Sequence, residues 1–347
     1  MSSARADRSG PGATSGPTGG DPFASAGVVD RSERGKLRLT GPQALWFCDQ
    51  LLTNQVVSLQ EGSGAEALLL TPHGRITALL RLLHAGEDVL ADTEPGLAGG
   101  VATFFQGRVF STRVEIAEVT DELGIVSVLG PGADEVSRAA GFPAPGPEEH
   151  ASLRRGSKVA VRVLRPVHGV DLWTPRSEVA GTMAALEAAG GAVASAGDYE
   201  LLRVREGLAR DRVDFDEGYL PQEAALERAV HFAKGCYLGQ EAVAMTQRGR
   251  VKRRLRLLRF EREARPGAVR RLGEEVGKVT SAAGRSGIAT LRTSVATGER
   301  VDVGDVGDDS SAAVVEELPG SVSGPRLPSA RELREGLAGG AGGRGGS

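Results

Sequence analysis

The hydrophobic pattern of the chain changes near residue 254, and this change limits the folds that are open to it. Upstream, alternating runs typical of strands are interleaved with runs that have helical spacing. Downstream, short strands separated by glycine-rich turns are predicted over residues 255–260, 275–280, 287–291 and 312–316. Closely spaced strands without helices favour a small barrel. We therefore expect an α+β fold, in which a mixed region precedes a C-terminal β-barrel.

The mixed region repeats one local unit, a strand followed by a glycine-proline turn and a helix. Residues 35–40 predict a strand, and Gly41 and Pro42 lead into a helix with Thr40 as its cap. The unit recurs over residues 125–140. Further strands are expected over residues 65–70, 76–83, 112–118, 159–164 and 170–173, and further helices over 101–107 and 181–189. This pattern predicts two mixed α/β lobes with antiparallel sheets.

Composition separates the ordered regions from the two ends. Both ends are rich in Gly, Ser and Pro and poor in large apolar groups, so they cannot bury enough surface to offset the entropy of ordering. We expect a disordered tail over residues 1–22, two lobes over about 23–118 and 119–245, a barrel over 246–318, and a second disordered tail over 319–347.

Charge and cysteine content exclude several classes of function. With 42 Lys and Arg against 45 Asp and Glu, the chain has no basic excess for coating DNA. No apolar run approaches the roughly 18 residues of a membrane helix, so no membrane partner is expected. Two distant cysteines cannot build a disulfide framework or hold a metal cluster alone, which favours a reducing cytoplasm. The five histidines lack ligand spacing, and no metal site is predicted.

One segment carries residues suited to chemistry, the motif Lys-Gly-Cys-Tyr-x-Gly-Gln-Glu, whose residues are Lys234, Gly235, Cys236, Tyr237, Gly239, Gln240 and Glu241. A helix is expected from near Gly239 to about Gln247, which places Cys236 just before a helix N-terminus. The backbone N–H groups there and the charge of Lys234 would both favour the thiolate. The alternative is an inert, buried cysteine. Cys48 lies in a core stripe, and we expect no chemistry from it.

A basic run follows the motif over residues 247–254. It is interpreted either as a solvated hinge before the barrel or as an anion site, because guanidinium groups bind carboxylates bidentately. A polyglutamylated folate tail and structured RNA are both anions of this kind. The acidic residues between 211 and 217 supply local countercharge to either ligand.

The Lys234–Glu241 motif is similar to the signature of the YgfZ family, a folate-binding branch of the glycine-cleavage T-protein superfamily that includes iron–sulfur assembly factors. Other segments carry the resemblance in the same order: Asp30-Arg31-Ser32, Thr40-Gly41-Pro42, the turn from Leu70 to Ile76, the stretch from Tyr219 to Ala224, and residues 249–254 followed by 275–281. The resemblance spans roughly residues 26–318.

This resemblance implies a ring of three domains around a central cavity that accepts tetrahydrofolate, with Arg205, Glu206, Arg250 and Lys234 among its contacts. It also implies a role in assembling or repairing iron–sulfur proteins, with Cys236 as a redox or ligand-sharing thiol. The partners implied are folate and iron–sulfur carrier or client proteins. Transfer RNA enters only indirectly, through client enzymes that modify it.

The chain also departs from the aminomethyl-transferring T-proteins. These place an acidic residue shortly after the Gly-x-Ile turn of the first lobe, where residues 77–80 read Thr-Ala-Leu-Leu. They also commonly show Arg-Leu-Glu-Ala-Gly, whereas residues 203–207 read Arg-Val-Arg-Glu-Gly, so the carboxylate of Glu206 comes one residue later. Methylene transfer needs a positioned proton-transfer group, so glycine-cleavage activity is not expected. A folate-dependent one-carbon transfer enzyme and a non-catalytic scaffold that docks iron–sulfur carriers are the alternatives.

Overall fold

A computed structural model describes residues 20–248, 251–304 and 310–319, with the side chains of residues 246–248 left out. It confirms the expected fold: two mixed lobes with antiparallel sheets and a closed C-terminal barrel.

The helices and strands fall into three groups along the chain. The first group is β1 (Gly27–Asp30), β2 (Gly35–Thr40), α1 (Ala44–Leu51), β3 (Gly64–Leu70), β4 (Ile76–Ala85), β5 (Asp88–Thr93), α2 (Ala98–Gln106) and β6 (Glu115–Glu118). The second is β7 (Leu123–Leu129), α3 (Ala133–Ala139), β8 (Ser152–Arg155), β9 (Lys158–Val163), β10 (Gly169–Pro175), α4 (Val179–Ala188), β11 (Ala192–Val193), α5 (Ala196–Arg205) and α6 (Gln240–Arg248). The third is β12 (Arg253–Phe260), β13 (Gly267–Arg271), β14 (Glu274–Ala283), β15 (Ser286–Arg292), β16 (Arg300–Val303) and β17 (Ser311–Glu316).

The first lobe is a five-stranded sheet in the order β3-β4-β5-β2-β6. Leu37 and Leu39 alternate along β2 with more polar residues and lie in the core that α1 and α2 cover. Phe47 of α1 and Phe105 of α2 meet edge to face there, with ring centroids 5.7 Å apart. Cys48 is fully buried in the same core, as the sequence predicted.

The second lobe is a six-stranded sheet in the order β11-β1-β7-β10-β9-β8. The second strand of this sheet is β1, which pairs with β7 and not with β2. The expected range of 23–118 for the first lobe therefore starts too early. Val28 supplies the reason: it is fully buried in the second lobe's core, which a strand from the chain start completes. The two lobes are therefore interleaved in sequence.

The barrel closes in the order β12-β15-β14-β13-β16-β17. The sequence predicted β12, β14, β15 and β17 but missed β13 and β16. Both missed strands are short and carry few apolar residues, Val269 in β13 and Val301 and Val303 in β16, which point into the barrel core.

The repeated strand-turn-helix unit is present in both lobes, as β2 with α1 and β7 with α3. Each turn begins with a glycine at positive φ, +106° at Gly41 and +120° at Gly130. A side chain at Gly41 would lie 2.6 Å from a backbone oxygen, so both conformation and space require glycine. The prediction that Thr40 caps α1 is wrong; Thr40 is the last residue of β2, and the helix begins four residues later at Ala44.

The predicted N-terminal tail extends too far at its end. Asp21 caps a short 3-10 turn by accepting from the Phe23 amide at 2.9 Å, and it pairs with Arg205. Phe23 is buried, which holds this segment on the second lobe. Residues 1–19 and 320–347 lie outside the described residues.

Candidate functional site

A cavity of about 150 Å³ opens between the two lobes. Its lining combines the β1–β2 loop, strands β3 to β5, the second lobe's sheet, helix α5 and the segment after it. The charged residues of the lining are Asp30, Arg31, Glu33, Arg34, Glu66, Arg81, Asp92, Glu94, Glu149, Arg165, Asp171, Glu200, Arg210 and Arg228. The lining therefore carries many more charged side chains than an ordinary ligand pocket.

Asp92 organises one wall of the cavity. Arg34 donates to it at 2.7 Å and Arg81 at 2.9 Å, and Arg81 also reaches Asp171 at 2.7 Å. Burial opposes ionisation of Asp92, but these two guanidinium groups outweigh it and hold its pKa well below the ordinary range. The wall is therefore a fixed array of charges that joins the β1–β2 loop, β4, β5 and β10.

Glu66 extends this wall along the first lobe's sheet, where it pairs in register with Arg81, which in turn pairs with Asp92. Arg228 donates to it at 2.6 Å and Arg165 approaches at 3.4 Å. Burial alone would raise the pKa of Glu66, yet Arg228 and Arg165 bring it down to about 2. His150 lies close by in a left-handed conformation, with φ +64°. Burial lowers the pKa of His150 to about 4, so its imidazole is neutral at physiological pH.

Some buried polar atoms of the lining have no partner among the described residues: the donors Arg31 Nε and Arg165 Nε, and His150 Nδ1, whose role depends on the tautomer. Unsatisfied buried polar atoms are costly, and a native protein keeps them where a ligand or water completes them. The donor set fits an oxygen-rich, polar ligand, and reduced folate is one.

Leu79 of β4 occupies the cavity lining within the stretch where T-proteins carry an acidic residue. Its side chain brings no carboxylate to the cavity. Behind it, Asp211 accepts a hydrogen bond from the Leu79 amide at 3.1 Å. Burial raises the pKa of Asp211 to about 6, against the opposing effects of the Leu79 amide and Arg212. A carboxyl group is therefore near this position but comes from another segment.

The motif residue Lys234 binds backbone oxygens of the first lobe. Its amine donates to the backbone oxygens of Asp49, Leu52 and Asn54 at 2.6, 2.9 and 2.8 Å, and its side chain is 2% exposed. These oxygens lie at and just after the C-terminus of α1, where a cation is favourable. Burial lowers the pKa of Lys234 and Asp49 opposes this shift. Lys234 therefore fastens the motif to the first lobe, and its expected effect on the Cys236 thiol stays a prediction.

The second half of the motif packs on the Thr71–Gly74 turn of the first lobe. Gly239 has φ +82°, and a side chain there would lie 2.5 Å from the Thr71 oxygen. Gly74 has φ +72°, and a side chain there would lie 2.8 Å from the Cβ of Ala242 in α6. The structure thus brings together two segments that the sequence could connect only through the family resemblance.

The remaining motif residues divide between core and surface. Tyr237 is buried, and burial raises its pKa to about 12. Gln240 begins α6 and donates to the Lys234 oxygen at 3.5 Å, while Glu241 is exposed. The helix starts one residue after the expected Gly239.

Cys236 is exposed in the loop before α6. Cys48 is its opposite, because burial raises the pKa of the Cys48 thiol to about 12. The two cysteines therefore differ in accessibility as the sequence predicted, and Cys236 is the thiol that a partner molecule can reach.

The predicted folate contacts at the end of α5, Arg205 and Glu206, do not belong to the cavity lining. Arg205 pairs with Asp21 at 2.6 Å and with Glu206 at 2.8 Å. Glu206 borders a smaller neighbouring pocket of about 40 Å³. Both side chains lie where the end of α5 meets the segment around Asp21, because Arg205 pairs with Asp21 and Glu206 pairs with Arg205. Arg250 lies outside the described residues.

Sequence reasoning missed most of the cavity. Only Asp30, Arg31 and Leu79 of the lining belong to segments that the sequence analysis singles out. A signal was present at Arg81, which interrupts the apolar run of β4 and so predicts a buried, paired charge. Its partners could not be predicted, because they come from β5 and β10.

The fold and cavity define the chain as a T-protein-like protein with a C-terminal barrel. The GCVT N-terminal domain family matches residues 23–234, and the CAF17 C-terminal beta-barrel domain matches residues 252–317. The chain belongs to the GCVT family and carries a CAF17-type barrel.

Individual relatives agree with this assignment. A chloroplastic protein of Arabidopsis thaliana that is named as a transferase is 26% identical over 84% of this chain and 70% of its own length. An aminomethyltransferase of Rubrobacter xylanophilus is 28% identical over 74% of this chain and 72% of its own. The crystal structure of aminomethyltransferase T from Bartonella henselae superposes with a TM-score of 0.79 at 21% identity, covering 88% of each chain, and shares the fold.

Two further observations concern membrane and metal sites. Among the described residues, no helix is long and apolar enough to cross a membrane. In the same part of the chain, no group of three or more His, Cys, Asp and Glu side chains is placed to hold a metal ion.

Proposed function

We propose that this protein is a folate-binding accessory factor for the assembly or repair of iron–sulfur proteins. The single observation that supports it most is the exposed Cys236 on a loop fastened to the first lobe by Lys234. A thiol held at the surface in this way can donate to an iron that a partner protein also holds. The expected partners are iron–sulfur carrier or client proteins in the cytoplasm, with transfer RNA affected only through its modifying enzymes.

Folate binding is the second part of the proposal. Arg31 and Arg165 of the cavity lining each have an Nε donor without a partner among the described residues, and arginine donors suit the oxygens of a folate. When bound, reduced folate supplies a carrier for one-carbon units. The chain's own contribution is to orient that ligand against a wall of fixed charge that includes Asp92 and Glu66.

The test is loss of the gene. We expect deletion to lower the activity of iron–sulfur enzymes such as dehydratases, while the abundance of their polypeptides stays the same. Wild-type protein supplied in trans should restore the activity. Unchanged iron–sulfur enzyme activities in the deletion strain would contradict the proposal.

A folate-dependent one-carbon transfer enzyme is the second candidate. It is favoured by the names of the aminomethyltransferase relatives and by the Asp211 carboxyl, which hydrogen-bonds to the Leu79 amide. Leu79 in the lining disfavours it, because no carboxylate reaches the cavity at that position. In a reconstituted glycine-cleavage assay we expect no turnover, and a rate of roughly 1 s⁻¹ or more would favour this candidate instead.

A further inference from the structure

The arginines of the cavity lining differ in whether they form an ion pair with a carboxylate. Five are paired: Arg34 with Asp92 and Glu94, Arg81 with Asp92 and Asp171, Arg165 with Glu66 and Glu149, Arg210 with Glu94, and Arg228 with Glu66. Arg31 is the exception. Its guanidinium has no hydrogen bond or ion pair within the described ranges, and its Nε is buried.

Arg31 is also held in place without such a pair. Its amide donates to the Ile125 oxygen at 2.8 Å, and its guanidinium lies over the ring of Tyr199, 4.4 Å from the centroid. The buried amine of Lys36 donates to the oxygens of Ser32 and Arg34 at 2.9 and 2.6 Å. The loop that carries Arg31 is therefore fixed from behind, and the stack on Tyr199 orients the planar group.

The geometry points to Arg31 as the group that binds a carboxylate of the ligand in the cavity. A guanidinium presents its N–H groups in a fork that matches a carboxylate, and the half-buried Arg31 brings such a group to the lining without an ion pair of its own among the described residues. The ligand is thus an organic acid. If the proposed function is right, on which this identification rests, the group is a glutamate carboxylate of reduced folate.

The cavity also limits how much charge it accepts. Eight carboxylates line it, those of Asp30, Glu33, Glu66, Asp92, Glu94, Glu149, Asp171 and Glu200. Among the described residues, Arg31 is the arginine of the lining without a carboxylate within ion-pair distance, although it is near enough to Glu94 and Asp171 to lower the pKa of both. With eight carboxylates against six arginines the lining has excess negative charge, so a polyanion such as a phosphate cluster is repelled and a carboxylate is accepted only beside Arg31. A volume of about 150 Å³ holds about one aromatic ring, so only part of a folate enters.

The test compares three ligands by calorimetry on the full chain. 5-Formyltetrahydrofolate has both the pterin and the carboxylates, 6-methyltetrahydropterin has no carboxylate, and p-aminobenzoylglutamate has no pterin. Each is titrated into the wild type, Arg31→Gln and Arg31→Lys. Arg108→Gln is the matched control, because Arg108 also stacks on an aromatic ring, that of Phe104 at 3.4 Å, but is exposed and outside the cavity.

We expect Arg31→Gln to weaken binding of both carboxylate ligands about tenfold or more. Its affinity for the pterin should change less than about twofold, since no charged contact is lost there. Arg31→Lys, which keeps the charge but loses the fork, should fall between. Arg108→Gln should match the wild type. Melting curves identify the folded variants, and either folded Arg31 variant decides the outcome.

Two results would overturn this assignment. One is wild-type affinity for the carboxylate ligands in the Arg31 variants; the other is equal weakening for the pterin. Failure of the folate assignment gives a different result from failure of the carboxylate site. If the wild type binds p-aminobenzoylglutamate through Arg31 but binds 5-formyltetrahydrofolate no more tightly, the acid site stands and the folate assignment fails. If none of the three ligands binds, both fail.

Discussion

Asp211 gives the sharpest test of the electrostatics beside the cavity. Its side chain is 1% exposed; Oδ2 accepts from the Leu79 amide, and Oδ1 has no hydrogen bond in the described part of the chain. Arg212 Nε is 3.7 Å away from Oδ1, too far for a strong hydrogen bond. Burial therefore raises the pKa of this carboxyl to about 6 in the folded protein, above its ordinary value of 3.8.

A carboxyl with a raised folded pKa destabilises the protein at pH values where it is ionised. The penalty is complete above pH 6 and disappears as the pH falls towards 3.8. The difference between these values corresponds to about 3 kcal/mol of unfolding free energy at neutral pH. Asp211→Asn keeps an acceptor for the Leu79 amide and removes the ionisation. We therefore expect this variant to be more stable than the wild type by up to about 3 kcal/mol at pH 7.5 and by almost nothing at pH 4.

Urea unfolding at pH 4, 5.5 and 7.5, followed by tryptophan fluorescence and circular dichroism, measures this difference. Asp92→Asn is the control of opposite sign. It breaks the pairs with Arg34 and Arg81, so it should destabilise by roughly 3–5 kcal/mol at pH 7.5. An Asp211→Asn effect that does not depend on pH, or that destabilises at pH 7.5, would refute the reasoning.

The other predictions concern the motif. Iodoacetamide should modify Cys236 in the native protein and spare Cys48, which is buried with a pKa of about 12; equal labelling by mass spectrometry would be inconsistent with this. Lys234→Met should lower stability by roughly 3 kcal/mol, because buried carbonyl oxygens lose their donor, yet leave the alkylation rate of Cys236 unchanged. Slower alkylation in that variant would support the predicted electrostatic role. Gly239→Ala should destabilise by more than about 2 kcal/mol through strain and contact with the Thr71 oxygen, whereas Gly235→Ala, with open space around it, should be near neutral by thermal unfolding.

The sequence predicted elements well where the hydrophobic period is regular. β2 alternates buried leucines with polar residues over its whole length, and its bounds agree with the predicted strand at residues 35–40. The sequence did not predict β1 as a strand of the second lobe, because four residues do not indicate which distant strand they pair with. Pairing with β7 is a long-range choice, made by the core that Val28 joins.

The candidate site was predictable in part for similar reasons. The exposure of Cys236 follows from local neighbours, since lysine, glycine and tyrosine do not form an apolar run. The position of the Lys234 amine depends on carbonyl groups of Asp49, Leu52 and Asn54, which are far away in sequence. Arg205 and Glu206 were chosen from the family pattern, but a salt bridge holds Arg205 at the segment around Asp21.

We propose that iron–sulfur maintenance by this protein requires the exposed thiol of Cys236. The most direct measurement is the activity of an iron–sulfur dehydratase in the gene-deletion strain complemented with wild type, Cys236→Ser or Cys48→Ala, at equal protein levels. We expect the wild type and Cys48→Ala to restore the dehydratase activity, and we expect the activity with Cys236→Ser to stay at the level of the deletion strain. Full restoration by Cys236→Ser would contradict the claim and leave the docking scaffold as the better explanation.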